Sequence, residues 1–162
     1  MIRLCLLLLC AACVPTAMPS TVMPPMAPDF SAATLDGGSL ALSDLRGRWV
    51  VINFWASWCV PCAAEMPVLQ RIADKYADAV SVVGVNMRED RAQVSASVAK
   101  LGIRYPILLN PTDEAVLAYS VVGLPQTLVV APDGELVWRS FGEISYESFT
   151  AELRRLMSSD WS

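Results

Sequence analysis

Histidine is missing from all 162 residues. Its absence removes Ser-His and Cys-His nucleophilic machinery, together with any metal site that depends on imidazole. Positive charge is also short. Lys and Arg number 12 against 16 Asp and Glu, a net charge of −4, and no basic run is long enough to follow a phosphate backbone, so nucleic acid is not an expected partner. Cysteine is sparse where a fold would form: of five, Cys5, Cys10 and Cys13 crowd into the first residues, and only Cys59 and Cys62 belong to the body of the chain. No internal repeat divides the sequence. What remains after a targeting segment is one domain's worth, able to bury about two-thirds of its unfolded surface. Folding then needs neither disulfides nor metal, and the cysteines are free for chemistry.

The first residues, MIRLCLLLLCAACV, carry one positive charge at Arg3, a short apolar run, and the small residues Ala11 and Ala12 before Cys13. That is the layout of an export signal. The run falls short of the roughly 20 residues that a membrane-spanning helix needs. Small residues followed by cysteine resemble the lipobox of bacterial lipoproteins, which implies lipidation at Cys13; an ordinary cleaved signal and an uncleaved anchor are the alternatives. The next stretch, VPTAMPSTVMPPMAP, has no charge and no periodicity, and its prolines keep it extended, as a spacer or as plain disordered sequence. The expected division is a signal or lipoprotein-type segment over 1–13, a Pro-rich linker over 14–26 and one domain over 27–160.

Within that domain, alternating runs around Asp36-Gly37-Gly38 predict an N-terminal β-hairpin, and Ser43 is expected to cap a short turn ending near Leu45. The apolar run at 49–56 reads as a central strand. Val68, Leu69, Ile72, Ala73 and Tyr76 recur at helical spacing, with Gln70, Arg71, Asp74 and Lys75 facing away and Pro67 expected to kink the helix. A strand at 80–86, a helix at 90–101, a short strand at 105–109 and a small helix at 113–119 follow. Strands at 127–131 and 135–140 flank the turn Pro132-Asp133-Gly134, and a closing helix at 145–157 presents Phe149, Leu153 and Leu156 to the core. The order implies an α/β three-layer sandwich with a mixed central sheet and flanking helices.

Between the strand and the helix lies FWASWCVPCAAEMP. This spacing places Cys59 at a helix N-terminus, where unpaired amides and the positive end of the helix dipole stabilise a thiolate, lowering a pKa near 8.5 into the range of about 3.5 to 7.5. Cys59 would attack a substrate disulfide and Cys62, one turn on, would resolve the mixed disulfide. Pro61 is tolerated in the first turn and stiffens the loop. Three plainer readings stand beside this one. A zinc site would need two further ligands that the body lacks, a structural disulfide would close too short a loop to add much stability, and the pair could be inert buried thiols.

FWASWCVPCAAEMP, together with the upstream APDF and GLPQT at 123–127, resembles the TlpA/ResA branch of the thioredoxin-like superfamily, within the AhpC/TSA-redoxin group. The resemblance covers residues 27–157. It implies a thioredoxin-like fold and an exported thiol-disulfide oxidoreductase whose only redox group is the Cys59-Cys62 disulfide, with no other cofactor. It further implies that Pro125, after Leu124, is a cis-proline facing the disulfide, that Trp58, Leu124 and Pro125 contact substrate while Trp55 packs in the core, and that Val60 and Pro61 tune the couple. Thioredoxin carries a buried aspartate where Asn53 stands here, and asparagine cannot accept a proton. Glu65 matches a glutamate that this branch uses beside its cysteines, so the proton-handling role for Cys62 falls to Glu65; a solvated helix glutamate is the alternative. The implied partners are disulfide-bonded protein substrates, as in cytochrome c maturation, a membrane thiol-electron donor of DsbD/CcdA type, and a membrane reached through a lipid or signal anchor. Residues 87–110 match the extra helix and strand of this branch, where selectivity for substrate could reside.

Two rival functions differ in class. APDF and the layout also resemble peroxiredoxins, but a thiol peroxidase needs a Pro-x-x-x-Thr/Ser-x-x-Cys loop, and no proline precedes Cys59 in that way. A copper-delivery module resembling the Sco group would pair CxxxC with histidine, and this chain has neither.

Overall fold

The computed structural model describes residues 26–159; Cys13, the signal and the linker up to residue 25 lie outside them. Seven strands form one sheet in the order β2-β1-β5-β4-β3-β6-β7: β1 (Ser31–Thr34), β2 (Ser39–Ala41), β3 (Trp49–Trp55), β4 (Val80–Asn86), β5 (Ile107–Leu109), β6 (Gln126–Val130) and β7 (Leu136–Phe141). The helices are α1 (Val60–Lys75), α2 (Arg91–Leu101), α3 (Asp113–Ala118) and α4 (Tyr146–Ser159). β3, β4 and β5 run parallel, joined by helical crossovers through α1 and α2, whereas β6 and β7 form an antiparallel hairpin alongside β3. The N-terminal hairpin β1-β2 turns at Gly37, whose φ of 101° suits a residue without Cβ, and it extends the sheet by pairing β1 antiparallel with β5.

The strand pleat sorts the apolar run of β3 onto two cores. Trp49, Val51 and Trp55 face one cluster, shared with Met66, Leu69 and Ile72 of α1 and Phe149, Leu153 and Leu156 of α4. Val50, Ile52 and Phe54 face the other, closed by Leu42, Tyr119 and Ala27. This is the three-layer α/β arrangement. Asn53 falls between Val51 and Trp55 in the alternation, so a polar residue is delivered to the face that α1 covers.

Two local expectations change. The 3₁₀ turn over Leu42–Leu45 is not capped by Ser43: the Asp44 carboxylate accepts from the Ala41 N–H at 2.9 Å, and the Ser43 N–H donates to Asp29 instead. Pro67 lies inside helix α1, at the interior position expected of it. Gln70, expected to face solvent, is buried because its Oε1 accepts from the backbone N–H groups of Arg104 at 2.6 Å and Tyr105 at 3.3 Å, fastening the approach to β5 onto α1.

Gly84 in β4 is a packing requirement. A Cβ there would lie 2.6 Å from Ile107 Cδ1 and 3.1 Å from both the Trp55 indole nitrogen and the Tyr105 ring. The isoleucine tip can swing aside, but two buried aromatic rings cannot. Gly84→Ala gains about 0.4–1 kcal/mol from a stiffer unfolded chain, and overpacking costs about 1–3 kcal/mol. A net loss of stability is expected in the urea midpoint, and an unchanged midpoint would show that the rings have room.

Candidate active site

β3 ends at Trp55, and residues 56–58 turn the chain into α1. Cys59 is the N-cap of α1: its backbone is extended, its carbonyl accepts from the Ala63 N–H at 3.2 Å, and its Sγ accepts from the Cys62 N–H at 3.3 Å. One amide of the first helical turn, that of Cys62, therefore points at this sulfur, at the positive end of the helix dipole that favours a thiolate over a thiol. Val60 and Pro61 occupy the first two helical positions, where proline's missing donor removes nothing from the ladder. Cys59 and Cys62 are joined as a disulfide, with Cα atoms 5.3 Å apart. Cys59 keeps 5% of its surface exposed and Cys62 keeps none, so an incoming group reaches the Cys59 sulfur first.

The Leu124-Pro125 peptide bond is cis. Pro125 stands one residue before the Phe54–Gln126 pair of the β3–β6 ladder, which puts it at the sheet end where β3 leads into the cysteine turn. Its carbonyl accepts from the Gly142 N–H at 2.9 Å. The same sheet end carries Trp58, which is 70% exposed and sits beside an equally open Val60, and it carries Phe141 in β7 and Val122 just ahead of the cis bond, both exposed. Leu124 is half-buried against both cores, and Trp55 is buried.

Glu65 lies one turn beyond Cys62 and is 0% exposed, not a solvated helix residue. Its Oε1 accepts from Asn53 Nδ2 at 3.1 Å and from the Thr127 hydroxyl, while Asn53 Nδ2 also donates to Thr127 Oγ1 at 2.9 Å. Oε2 is buried and makes no hydrogen bond with a side chain or backbone group within bonding distance. Burial raises the carboxyl from 4.5 to about 7; the Thr127 hydroxyl and the Ile144 backbone amide pull it down more weakly, and the nearby Glu143 charge pushes it up. Tyr105, whose hydroxyl is also buried without a partner, is pushed well above its ordinary value by burial, with a smaller push from Glu65. The site thus holds an acid–base group near neutral pH one helical turn beyond the buried Cys62.

Two contributors were not singled out from the sequence. Thr127 is the last residue of GLPQT, and only its pairing with Asn53 across β3–β6 brings its hydroxyl to Glu65. Glu89, in the charged run MRED after β4, is buried against the turn before Cys59, where its Oε2 accepts from the Ser57 N–H at 2.7 Å. Nothing in that run distinguishes it from a solvated loop acid. Among the described residues, no group of three or more His, Cys, Asp or Glu side chains is placed to hold a metal ion.

Residues 25–139 match the AhpC/TSA family. The chain is similar to the thiol-disulfide oxidoreductase ResA of Geobacillus kaustophilus (strain HTA426), with 33% identity over 131 residues, covering 80% of this chain and 75% of that protein. It is 38% identical over 112 residues to the thioredoxin-like protein YneN of Bacillus subtilis (strain 168), covering 67% of this chain and 65% of that one. Among solved structures, it is similar to a thiol:disulfide interchange protein of the thioredoxin family from Chlorobium tepidum TLS, at a TM-score of 0.75 and 27% identity, covering 82% of this chain and 96% of the other.

Proposed function

The chain belongs to the AhpC/TSA family and is a TlpA/ResA-like thiol-disulfide oxidoreductase acting on disulfide-containing substrates, and from that premise we propose that it works as an exported, membrane-tethered reductase of protein disulfides, of the kind that cytochrome c maturation requires. The observation that carries this reading is the inequality of the two sulfurs: Cys59 is the reachable N-cap, and Cys62 is fully buried one helical turn before the equally buried Glu65. In the reduced protein the Cys59 thiolate attacks one sulfur of the substrate disulfide, forming a mixed disulfide and releasing a substrate thiolate that takes up a proton. Cys62 gives its proton to Glu65 and attacks the Cys59 sulfur. The Cys59–Cys62 bond forms, the second substrate sulfur leaves and is protonated, and two electrons have passed from the dithiol to the substrate. Val60 and Pro61, between the sulfurs, tune the couple. The cis Leu124-Pro125 segment and Trp58 form the surface on which the substrate backbone lies, and no further cofactor is needed.

A dithiol donor must then restore the reduced state, and in an oxidising compartment a membrane thiol transporter of DsbD/CcdA type fits that requirement. No described helix is long and apolar enough to cross a membrane, so tethering is assigned to the N-terminal segment, through lipid on Cys13 or an uncleaved signal. The test is capture. Cys62→Ala should accumulate mixed disulfides between Cys59 and its substrates in the exporting cell, resolvable by dithiothreitol, and their identities name the pathway. Absence of any adduct that depends on Cys59 sinks the assigned roles. A wild-type potential near the roughly −120 mV of a strong oxidant sinks the direction of electron flow.

A further inference from the structure

Glu89 lies in the loop between β4 and α2 and is only 8% exposed. Both carboxylate oxygens accept: Oε2 from the Ser57 N–H and from Asn86 Nδ2, each at 2.7 Å, and Oε1 from the Ser57 hydroxyl. Its backbone is clamped in turn, with the Glu89 N–H donating to Asn110 Oδ1 at 3.0 Å and Asn110 Nδ2 donating to the Glu89 carbonyl at 2.9 Å. Acceptance at both oxygens is the pattern of an ionised carboxylate. Every one of these side-chain donors is neutral. Among the described residues, none of the ion pairs includes Glu89: Arg88 pairs with Asp113, and Arg91 donates to the Leu35 carbonyl. A charge held so deeply is ordinarily paired with a cation. This one is compensated by dipoles alone, and its field therefore extends to its neighbours.

The nearest chemistry is Cys59. It lies two positions after Ser57, a reach of at most about 7 Å along the chain, which puts the charge on the order of 10 Å from the Cys59 sulfur. We propose that Glu89 is a positioning residue for the reaction: it pins the Ser57 turn that presents Cys59, and its fixed negative charge opposes the Cys59 thiolate, holding the couple toward the reducing end. The helix N-terminus stabilises the attacking thiolate and Glu89 limits how far that stabilisation goes, because a couple whose dithiol form is made too stable no longer gives up its electrons. The proposal rests on the reductase reading above for its biological sense, but its test does not.

The measurement is the equilibrium in which the protein disulfide and two glutathione molecules give the protein dithiol and one glutathione disulfide, quantified by alkylation at about pH 8, near the ordinary thiol range. Glu89→Gln keeps the shape and the contacts, since its amide oxygen can accept from the Ser57 N–H and Asn86 while its NH2 donates to the Ser57 hydroxyl; only the charge is lost. At an effective dielectric of about 20, a unit charge at this distance is worth on the order of tenfold, so the equilibrium should move about tenfold toward the dithiol, or about 30 mV. Glu89→Asp keeps the charge and should stay within about threefold of the wild type. If Glu89→Gln also stays within that range, Glu89 is a structural pin and the electrostatic part is wrong. Should Glu89→Gln not fold, Ser57→Ala removes one compensating donor while keeping the charge; the couple should become more reducing, and a shift the other way or no shift overturns the proposal. The reductase reading stands or falls on the absolute potential of the wild type, whereas this proposal stands on the difference between variants.

Discussion

Cys59→Ser is expected to reduce disulfide exchange to the rate of the buffer thiol alone. A hydroxyl does not form an attacking anion at neutral pH, and Cys62, with none of its surface exposed, cannot take over the first step. The loss should not be confused with unfolding. The native disulfide joins residues only three apart in sequence, and in the chain-entropy picture a loop of about four residues contributes about 2 kcal/mol. Oxidised wild type should therefore be more stable than Cys59→Ser by about that amount, and reduced wild type should match it closely. Insulin reduction read alongside urea denaturation in dithiothreitol separates the two effects. Turnover in a folded Cys59→Ser protein would mean that the chemistry lies elsewhere.

Glu65→Gln is expected to raise stability and lower turnover. Burial keeps the folded carboxyl protonated up to about pH 7, whereas the unfolded chain releases that proton near 4.5. Across this window the native state binds more protons than the unfolded state, so wild-type stability falls as pH rises from about 4.5 to about 7, and the loss is complete above it. Glutamine can keep the hydrogen bonds from Asn53 and Thr127 but never ionises. The variant should match wild type near pH 4.5 and exceed it by roughly 3 kcal/mol at pH 8, at 1.36 kcal/mol per pKa unit. Turnover should move the other way. If Glu65 accepts the Cys62 proton, its loss costs about 10²- to 10⁴-fold in the resolving step. Full turnover by Glu65→Gln at neutral pH would reduce Glu65 to a buried acid that only destabilises. Denaturation curves across pH and single-turnover release of the mixed disulfide test the two halves separately.

The elements of this fold were largely legible in the chain because their causes are local. Helical spacing marked α1 and α4, the β-branched run marked β3, and Pro132-Asp133-Gly134 marked the last hairpin to within a residue at each strand. The errors were local readings overruled from a distance. Gln70 sits at a helix position that periodicity assigns to solvent, yet two backbone amides near β5 draw it inward. Ser43 looked like a cap because capping residues are recognised by type, and Asp44 took that place because its carboxylate reaches the Ala41 N–H.

What the sequence determined by itself is the motif and its polarity: Cys59 at the strand end, Cys62 one turn later and Glu65 one turn further, all on a single helix whose N-terminus supplies the electrostatics. What only the tertiary structure decided is the environment that sets their chemistry. Thr127 meets Glu65 across 62 residues and Ser57 meets Glu89 across 32, through sheet register and loop closure that no spacing rule along the chain expresses. Asn53 shows the division most clearly. Its identity could be read as the loss of a proton acceptor, but its task, donating to Glu65 and Thr127 at once, follows from the pleat that turns it toward α1 and the register that sets Thr127 beside it. A residue's type limits the chemistry available to it, and burial with its partners selects which part of that chemistry operates.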